Sequence, residues 1–108
     1  MAKRPQPPKH LDKIGQQYWR ELAKQLAVTE RNEKRLEVAA EAYSTYRQAS
    51  VAIQQDGLTV FSASGTVKPH PCIAIKERAV NTLTKILKDL YKENPEVEGD
   101  PLDEFLGG

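Results

Sequence analysis

Apolar side chains recur every three to four residues in three segments, which is the spacing of one face of an α-helix. The first segment covers about residues 11–27 and the third about residues 71–93. The second begins with Thr29 as the expected N-cap and extends to Asp56, so it predicts a helix about 40 Å long. We therefore expect a mainly α fold, in which the long second helix and the third helix form a helical hairpin and the first helix is short.

The second helix has two faces of different size. Its bulky face consists of Leu36, Ala39, Tyr43, Tyr46, Ser50 and Ile53. Its small-residue face consists of Val38, Ala42, Thr45, Ala49 and Ala52. Because small side chains allow two helices to approach closely, we expect the bulky face to pack within the chain and the small-residue face to contact the long helix of a neighbouring subunit. The alternative is that alanine is present only because it favours helices.

Residues 57–68 have a different character. Gly57 ends the helical pattern, the segment "LTVF" has strand-forming residues, and "SASG" is typical of a turn. We predict a small β-hairpin or flap over about residues 58–68. Two short strands are marginally stable alone in water, so this segment is expected to pack on a helix or on another chain.

The stretch "VKPHPCIAI" contains one of the two histidines and the only cysteine. No nucleophile elbow, phosphate-binding loop or metal-ligand spacing occurs in the chain. We therefore expect a binding protein without catalytic residues, cofactor or metal. The stretch instead predicts a boundary, with Pro71 in the first turn of the third helix and His70 as its N-cap.

Charge is divided unevenly along the chain. Residues 1–92 contain all 16 lysines and arginines and nine acidic residues, whereas residues 93–108 contain six acidic residues and no basic one. A basic body is typical of a protein that binds a polyanion. We expect a flexible, basic, proline-rich arm over residues 1–10, a helical domain over residues 11–94 and a disordered acidic tail over residues 95–108.

Nucleic acid is the expected polyanion. The candidate DNA-binding residues are Lys3, Arg4, Lys9, Lys13, Arg20, Lys24, Arg31, Lys34 and Arg35. Those of the arm and first helix rank first, and the others and the basic side of the third helix come next. In the tail, Leu102, Phe105 and Leu106 have helical spacing and form a candidate docking motif for a protein partner. The open alternative is that the charged faces are merely solvated.

Compartment is indicated by two absences in the sequence. A single cysteine suits a reducing environment, and no apolar run approaches the roughly 20 residues that span a bilayer. We expect a protein of the cytoplasm that is not exported and does not contact a membrane.

The order of motifs resembles a known family. The segments are "PPKHLDKIGQQYWRELAKQL", then "LEVAAEAYSTYRQA", then "GLTVFSASGTVKPHPCIAIKERAVNTLTKILKDL". Together they resemble the small terminase subunits of tailed phages, in the P27-like (HK97-type) family, over about residues 5–92. Typical members have a proline and a tryptophan-containing first helix, a Gly-Leu-Thr followed by a glycine, and an Asn-Pro or His-Pro step. The matching positions here are Pro8, Leu11, Trp19, Gly57, Leu58, Thr59, Gly65, His70 and Pro71.

The resemblance implies a non-enzymatic part of a DNA-packaging machine. It implies a homo-oligomeric ring, with a nonamer as one candidate, that binds the packaging-initiation site on double-stranded phage DNA in the host cytoplasm. It also implies that the ring recruits and regulates the large terminase subunit, which has the ATPase and nuclease activities. Two alternatives stay open from the residues: a dimeric transcriptional regulator whose second helix reads the major groove, and a protein-only scaffold.

Overall fold

Three helices and one β-hairpin make up the computed structural model, which describes residues 6–93. The helices are α1 (Lys13–Gln25), α2 (Glu33–Asp56) and α3 (Cys72–Lys92). The strands β1 (Thr59–Phe61) and β2 (Val67–Pro69) lie between α2 and α3. The predicted mainly α fold with a short first helix and a small β-hairpin is confirmed.

The long helix α2 is at the centre of the fold. Both α1 and α3 pack against it, and α3 has the larger contact. The ion pair between Arg35 and Glu93 and the contact of Lys76 with the Tyr46 ring place opposite ends of α2 and α3 together, so the two helices are antiparallel. The predicted helical hairpin is therefore present. Its core contains Leu11, Trp19, Leu22, Leu26, Leu36, Ala39, Ala40, Ala42, Leu83, Leu87 and Leu90.

Helix α1 is fixed to α2 at its first turn. Asp12 is its N-cap and accepts a hydrogen bond of 2.8 Å from the Gly15 backbone N–H. The same carboxylate accepts bonds from the Ser44 hydroxyl at 2.6 Å and from the Gln48 amide at 2.9 Å. The bond from Ser44, followed by that from Gly15, lowers the pKa of Asp12 below its ordinary value. Gly15 leaves room for this cap, because an added Cβ would lie only 3.1 Å from the Asp12 Oδ1.

Helix α2 begins later than the sequence pattern predicts. Thr29 and Asn32 bond reciprocally, since each side-chain oxygen accepts from the backbone N–H of the other, at 3.2 and 2.8 Å. This is the geometry of a capping box, with Asn32 in the place of the usual Glu or Gln. It forms one separate turn at residues 30–32, and the regular helix starts at Glu33. Thr29 therefore caps this turn, whereas the N-cap of α2 is Asn32, three residues after the predicted position.

The small-residue face of α2 is only partly accessible. Ala42 and Ala49 are buried within the single chain, Val38 and Ala52 are half-buried, and Thr45 is exposed. Since the chain itself covers Ala42 and Ala49, their apolar character does not require a neighbouring subunit. The assignment of this face to an oligomer interface stays a prediction, with Val38, Thr45 and Ala52 as its accessible members.

The β-hairpin is antiparallel, with Phe61 opposite Val67 and Thr59 opposite Pro69. Ser62 and Thr66 close its loop through a backbone hydrogen bond of 2.8 Å. Within the loop Gly65 has a φ of 86°, a left-handed conformation that is unfavourable for residues with a side chain. The strands make substantial contacts with each other but not with any helix. The hairpin therefore projects from the end of the α2–α3 pair.

His70 joins three elements at the base of the hairpin. Its Nδ1 accepts a bond of 3.0 Å from the Cys72 backbone N–H, so the imidazole satisfies a donor in the first turn of α3, although the N-cap position is Pro71 and not the predicted His70. This bond requires Nε2 to carry the proton, and Nε2 lies 2.9 Å from a carboxylate oxygen of Asp56 at the end of α2. The His70 backbone N–H donates to the Leu58 carbonyl at 2.8 Å. The buried imidazole is thus a structural joint, as the boundary prediction expected.

Helix length and apolarity decide whether a segment can span a membrane. Within residues 6–93, none of the helices has both the length and the apolarity needed to cross a bilayer.

Candidate nucleic-acid interface

A groove between α1 and α2 collects basic side chains. We call it the α1–α2 groove, and its lining residues are Ile14, Gln17, Tyr18, Arg20, Glu21, Lys24, Tyr43 and Arg47. It has a volume of about 510 Å³ and is open to solvent. Three cations and one anion line it, so its surface is basic. Lys13 continues the same stripe of α1 one turn before Gln17, because positions 13, 17, 20 and 24 share one helix face.

Aromatic rings form part of the groove. The rings of Tyr18 and Tyr43 are stacked, with centroids 4.0 Å apart and an angle of 10° between their planes. This stack connects α1 to α2 and fixes the distance between the basic residues on the two helices. The cations of the groove are therefore presented from a rigid support, not from a loop.

The cations of the groove differ in how they are paired. Lys24 lies 3.3 Å from the Glu21 carboxylate, but both side chains are largely exposed, so the pair is weak and readily exchanged. Within residues 6–93, Arg20 and Arg47 have no acidic side chain within 4.0 Å. These two guanidinium groups can therefore bind an external anion without first breaking an ion pair in this part of the chain.

The predicted basic residues at the start of α2 are engaged inside the chain. Lys34 lies 2.8 Å from a carboxylate oxygen of Glu37, and this bond raises the pKa of Lys34 and lowers that of Glu37. Arg35 pairs with Glu93, which raises the pKa of Arg35 and lowers that of Glu93. Arg31 is exposed and close enough to Glu93 to lower its pKa further. Lys34 and Arg35 thus each have an ion pair to exchange before they bind phosphate, whereas Arg31, like Arg20 and Arg47, has none within 4.0 Å in residues 6–93.

The remaining predicted residues lie near the two ends of the chain, and most of them are outside the described residues. Lys9 is exposed, in the segment that precedes α1. Lys3 and Arg4 of the basic arm and the docking motif of Leu102, Phe105 and Leu106 are outside the described residues. Their roles stay predictions from the sequence.

One group of side chains has the residue types of a metal site. Ligand atoms of His10, Glu37 and Glu41 lie within 4.8 Å of one another, the one such group in the range 6–93. The Nε2 atom of His10 is 2.6 Å from Glu41 and 3.4 Å from Glu37, and Lys34 also pairs with Glu37. Both carboxylates therefore have partners within the chain, Glu41 in His10 and Glu37 in His10 and Lys34. We interpret the group as a polar tie between α2 and the segment before α1.

Sequence reasoning missed Arg47 as a member of the basic surface. It considered each helix by itself, and Arg47 lies alone among the uncharged residues of α2. Only the packing of α1 on α2 brings it to Arg20 and Lys24. The sequence pattern places Tyr43 on the bulky face of α2 and gives no sign that its ring meets that of Tyr18.

Comparison with known proteins identifies the family. The sequence model of the family described as phage terminase, small subunit, matches residues 15–91, which is most of the chain. The protein belongs to the phage terminase small subunit family. This confirms the resemblance noted from the motifs, and the P27-like subtype stays a prediction. No match was found among curated proteins or among solved structures. The terminase family supports a role for the chain in phage DNA packaging.

Proposed function

We propose that the protein is the non-catalytic small subunit of a DNA-packaging terminase. It binds the packaging-initiation site on double-stranded phage DNA through the α1–α2 groove. It assembles as a homo-oligomeric ring in the cytoplasm of the bacterial host, and it recruits and regulates the large subunit. The observation that carries the proposal is the convergence of Arg20, Lys24 and Arg47 in a member of this family.

Electrostatics favours phosphate as the ligand of the groove. Lysine and arginine that contact phosphates release condensed counterions, so they provide affinity that falls as salt rises. A few contacts per subunit give weak binding, but several subunits that engage one DNA molecule multiply the affinity. Lys13 and Lys9 extend the basic stripe toward the arm that contains Lys3 and Arg4. Small contributions per chain therefore suit a protein that acts as an assembly.

The dimeric regulator is less compatible with the position of α2. A recognition helix must have one free face to enter the major groove. Helix α2 is packed by α1 on one side and by α3 on another, with buried residues distributed from Leu36 to Ala49. We therefore assign DNA contact to exposed residues of α1 and to Arg47, and not to insertion of α2 into DNA.

DNA binding is tested by neutralising the groove. The variant Arg20→Gln/Lys24→Gln/Arg47→Gln should bind a duplex that contains the packaging site several-fold more weakly in fluorescence anisotropy. The slope of log K against log salt should become shallower by about 0.9 for each phosphate that an engaged subunit no longer neutralises. Unchanged affinity and slope would contradict the assignment.

The matched control is Lys34→Gln/Arg35→Gln. These residues are also basic and lie on α2, but they pair with Glu37 and Glu93 in the chain. This variant should retain most of the affinity and the salt slope of the unsubstituted protein. Equal weakening in both variants would indicate a general charge effect instead of a defined groove, and weakening only in the control would move the site to the start of α2.

Recruitment of the large subunit is proposed for the tail. Deletion of residues 95–108 should abolish stimulation of the large subunit's ATPase, while the native mass of the small-subunit assembly is retained. Substitution of Leu102, Phe105 and Leu106 by serine should have the same effect if they are the anchors. A smaller assembly after deletion would instead assign the tail to oligomerisation.

A further inference from the structure

The hairpin has an apolar face that the chain does not cover. Phe61 and Val67 are directly opposite each other in the two strands, so their side chains are on the same face of the hairpin. Phe61 is 76% exposed and Val67 is 57% exposed, and the adjacent Leu58 is 67% exposed. These are the three most exposed large hydrophobic side chains found in residues 6–93. They are concentrated on one small projection.

An exposed apolar face of this kind is stabilised when another surface packs on it. Two three-residue strands are marginally stable alone, and they normally need packing against a further element. Transfer of a phenylalanine or valine side chain from water to an apolar site is favourable by about 1.5–3 kcal/mol. The ordered base of the hairpin, held by His70 and Gly57, keeps the face in a fixed position for a partner.

A second surface of the same chain, a groove between two helices, is suited to pack on this face. A groove between α2 and α3, here called the α2–α3 groove, has a volume of about 360 Å³. Its apolar lining comes from Val38, Ala42, Ile75 and Ala79. Ala42 of α2 and Ala79 of α3 both line this groove, and Ile75 is 43% exposed. Thr45, Thr82, Glu41 and Arg78 complete the lining.

We propose that the Phe61–Val67 face of one copy docks in the α2–α3 groove of a second copy. The inference rests on the proposed homo-oligomer and specifies which surfaces form it. The hairpin from Leu58 to Pro69 has a single charge, on Lys68, and the groove has one charge of each sign. The acidic tail over residues 95–108 has five negative charges and no positive one, so it fits this nearly neutral apolar groove less well than the hairpin does.

The geometry of the contact determines the type of assembly. Hairpin and groove are different surfaces of one chain, so each copy has one of each and the contact is head to tail. Repetition of a head-to-tail contact produces a closed ring or an open filament. Val38, Ala42 and Thr45 of the predicted small-residue face are used, but their partner is the neighbour's hairpin and not its long helix.

The test uses one variant on each side of the contact. Phe61→Asp disables the hairpin and Ile75→Asp disables the groove, and both positions are exposed enough to accept a charge in the monomer. Native mass spectrometry should show that each variant alone is monomeric under conditions in which the unsubstituted protein assembles. Ala63→Asp, in the exposed loop of the hairpin, is the matched control and should assemble normally.

Mixing distinguishes a head-to-tail contact from a symmetric one. An equimolar mixture of the two variants retains one intact hairpin and one intact groove, so it should form heterodimers and no larger species. Absence of heterodimers would overturn the head-to-tail contact, and so would heterodimers in which both hairpins cross-link to each other. Circular dichroism of each variant should match that of the unsubstituted protein, which separates a defect in assembly from a defect in folding.

The remaining outcomes separate this inference from the proposed function. An oligomer that persists in Phe61→Asp and Ile75→Asp would refute the docking surfaces while the ring proposal stands. An unsubstituted protein that is monomeric at all concentrations would refute the ring and this contact together. Loss of assembly after deletion of residues 95–108, with the hairpin variants unaffected, would assign the groove to the tail.

Discussion

The two ends of the helical body differ in how completely the single chain packs them. At one end, α1, α2 and the C-terminal part of α3 enclose Leu26, Leu36, Leu83, Leu87 and Leu90, each at most 2% exposed. At the other end, the hairpin and the first turn of α3 leave Leu58, Phe61, Val67 and Ile75 between 43% and 76% exposed. The first end has the burial of a finished domain core, whereas the second has the exposure of a binding surface.

The difference indicates that the two ends have different roles. We call the first end the closed end and the second the open end. Two polar contacts also stabilise the closed end, one between Asp12 and Ser44 and one between Asn32 and the Ala27 carbonyl. It therefore holds α1 and its basic groove in a fixed position on α2. The open end places apolar side chains where a second copy can reach them. Folding rests on the burial at the first end, and the assembly that we propose would use the second.

The largest difference is expected between shortening one buried and one exposed apolar side chain. Leu83→Ala should lower the free energy of unfolding by about 3 kcal/mol, because it leaves a cavity in the closed end. Phe61→Ala should change it by less than about 0.5 kcal/mol in dilute monomer, because the side chain is 76% exposed there. Urea unfolding followed by the fluorescence of Trp19, the single tryptophan, measures both. A large decrease in the free energy of unfolding for Phe61→Ala in the monomer would contradict the distinction between the two ends.

A smaller effect is expected at the polar fastening of α1. Asp12→Ala removes the N-cap and should lower the free energy of unfolding by about 1 kcal/mol at pH 7. Because the folded-state pKa of Asp12 is lowered, its contribution is present above the ordinary aspartate pKa and is lost as pH falls through the folded value. The difference between the two proteins should therefore shrink on acidification below about pH 4. A difference that is constant down to pH 2 would contradict the role of the carboxylate.

The smallest effect on the monomer is expected at the hairpin loop. Gly65→Ala places a Cβ on a residue with a φ of 86°, which costs about 1 kcal/mol locally. The hairpin is separate from the core, so helix unfolding should hardly change, while the assembly should dissociate at several-fold higher protein concentration. Analytical ultracentrifugation measures this shift. Ala63→Ser, at an exposed loop position without a positive φ, is the control and should leave both quantities unchanged.

Much of this architecture could be predicted from local patterns. Helical periodicity predicts the three helices, Gly57 the end of α2, the segment "SASG" the turn of the hairpin, and the His-Pro step the start of α3. Local patterns could not give the groove that contains Arg47, because it forms only when α1 packs on α2. They also could not tell that α3 covers Ala42 beside Ala79, since alanine favours a helix on any face.

Hydrogen exchange of the hairpin tests most directly whether the open end is completed by a second copy. In peptides that cover residues 58–69, we expect slow exchange at concentrations where the protein assembles and fast exchange on dilution or in Phe61→Asp. Peptides that cover Leu83–Leu90 should be protected in all three samples. Hairpin amides that exchange equally fast in the assembly and in the dilute protein would contradict docking of the hairpin on a second copy.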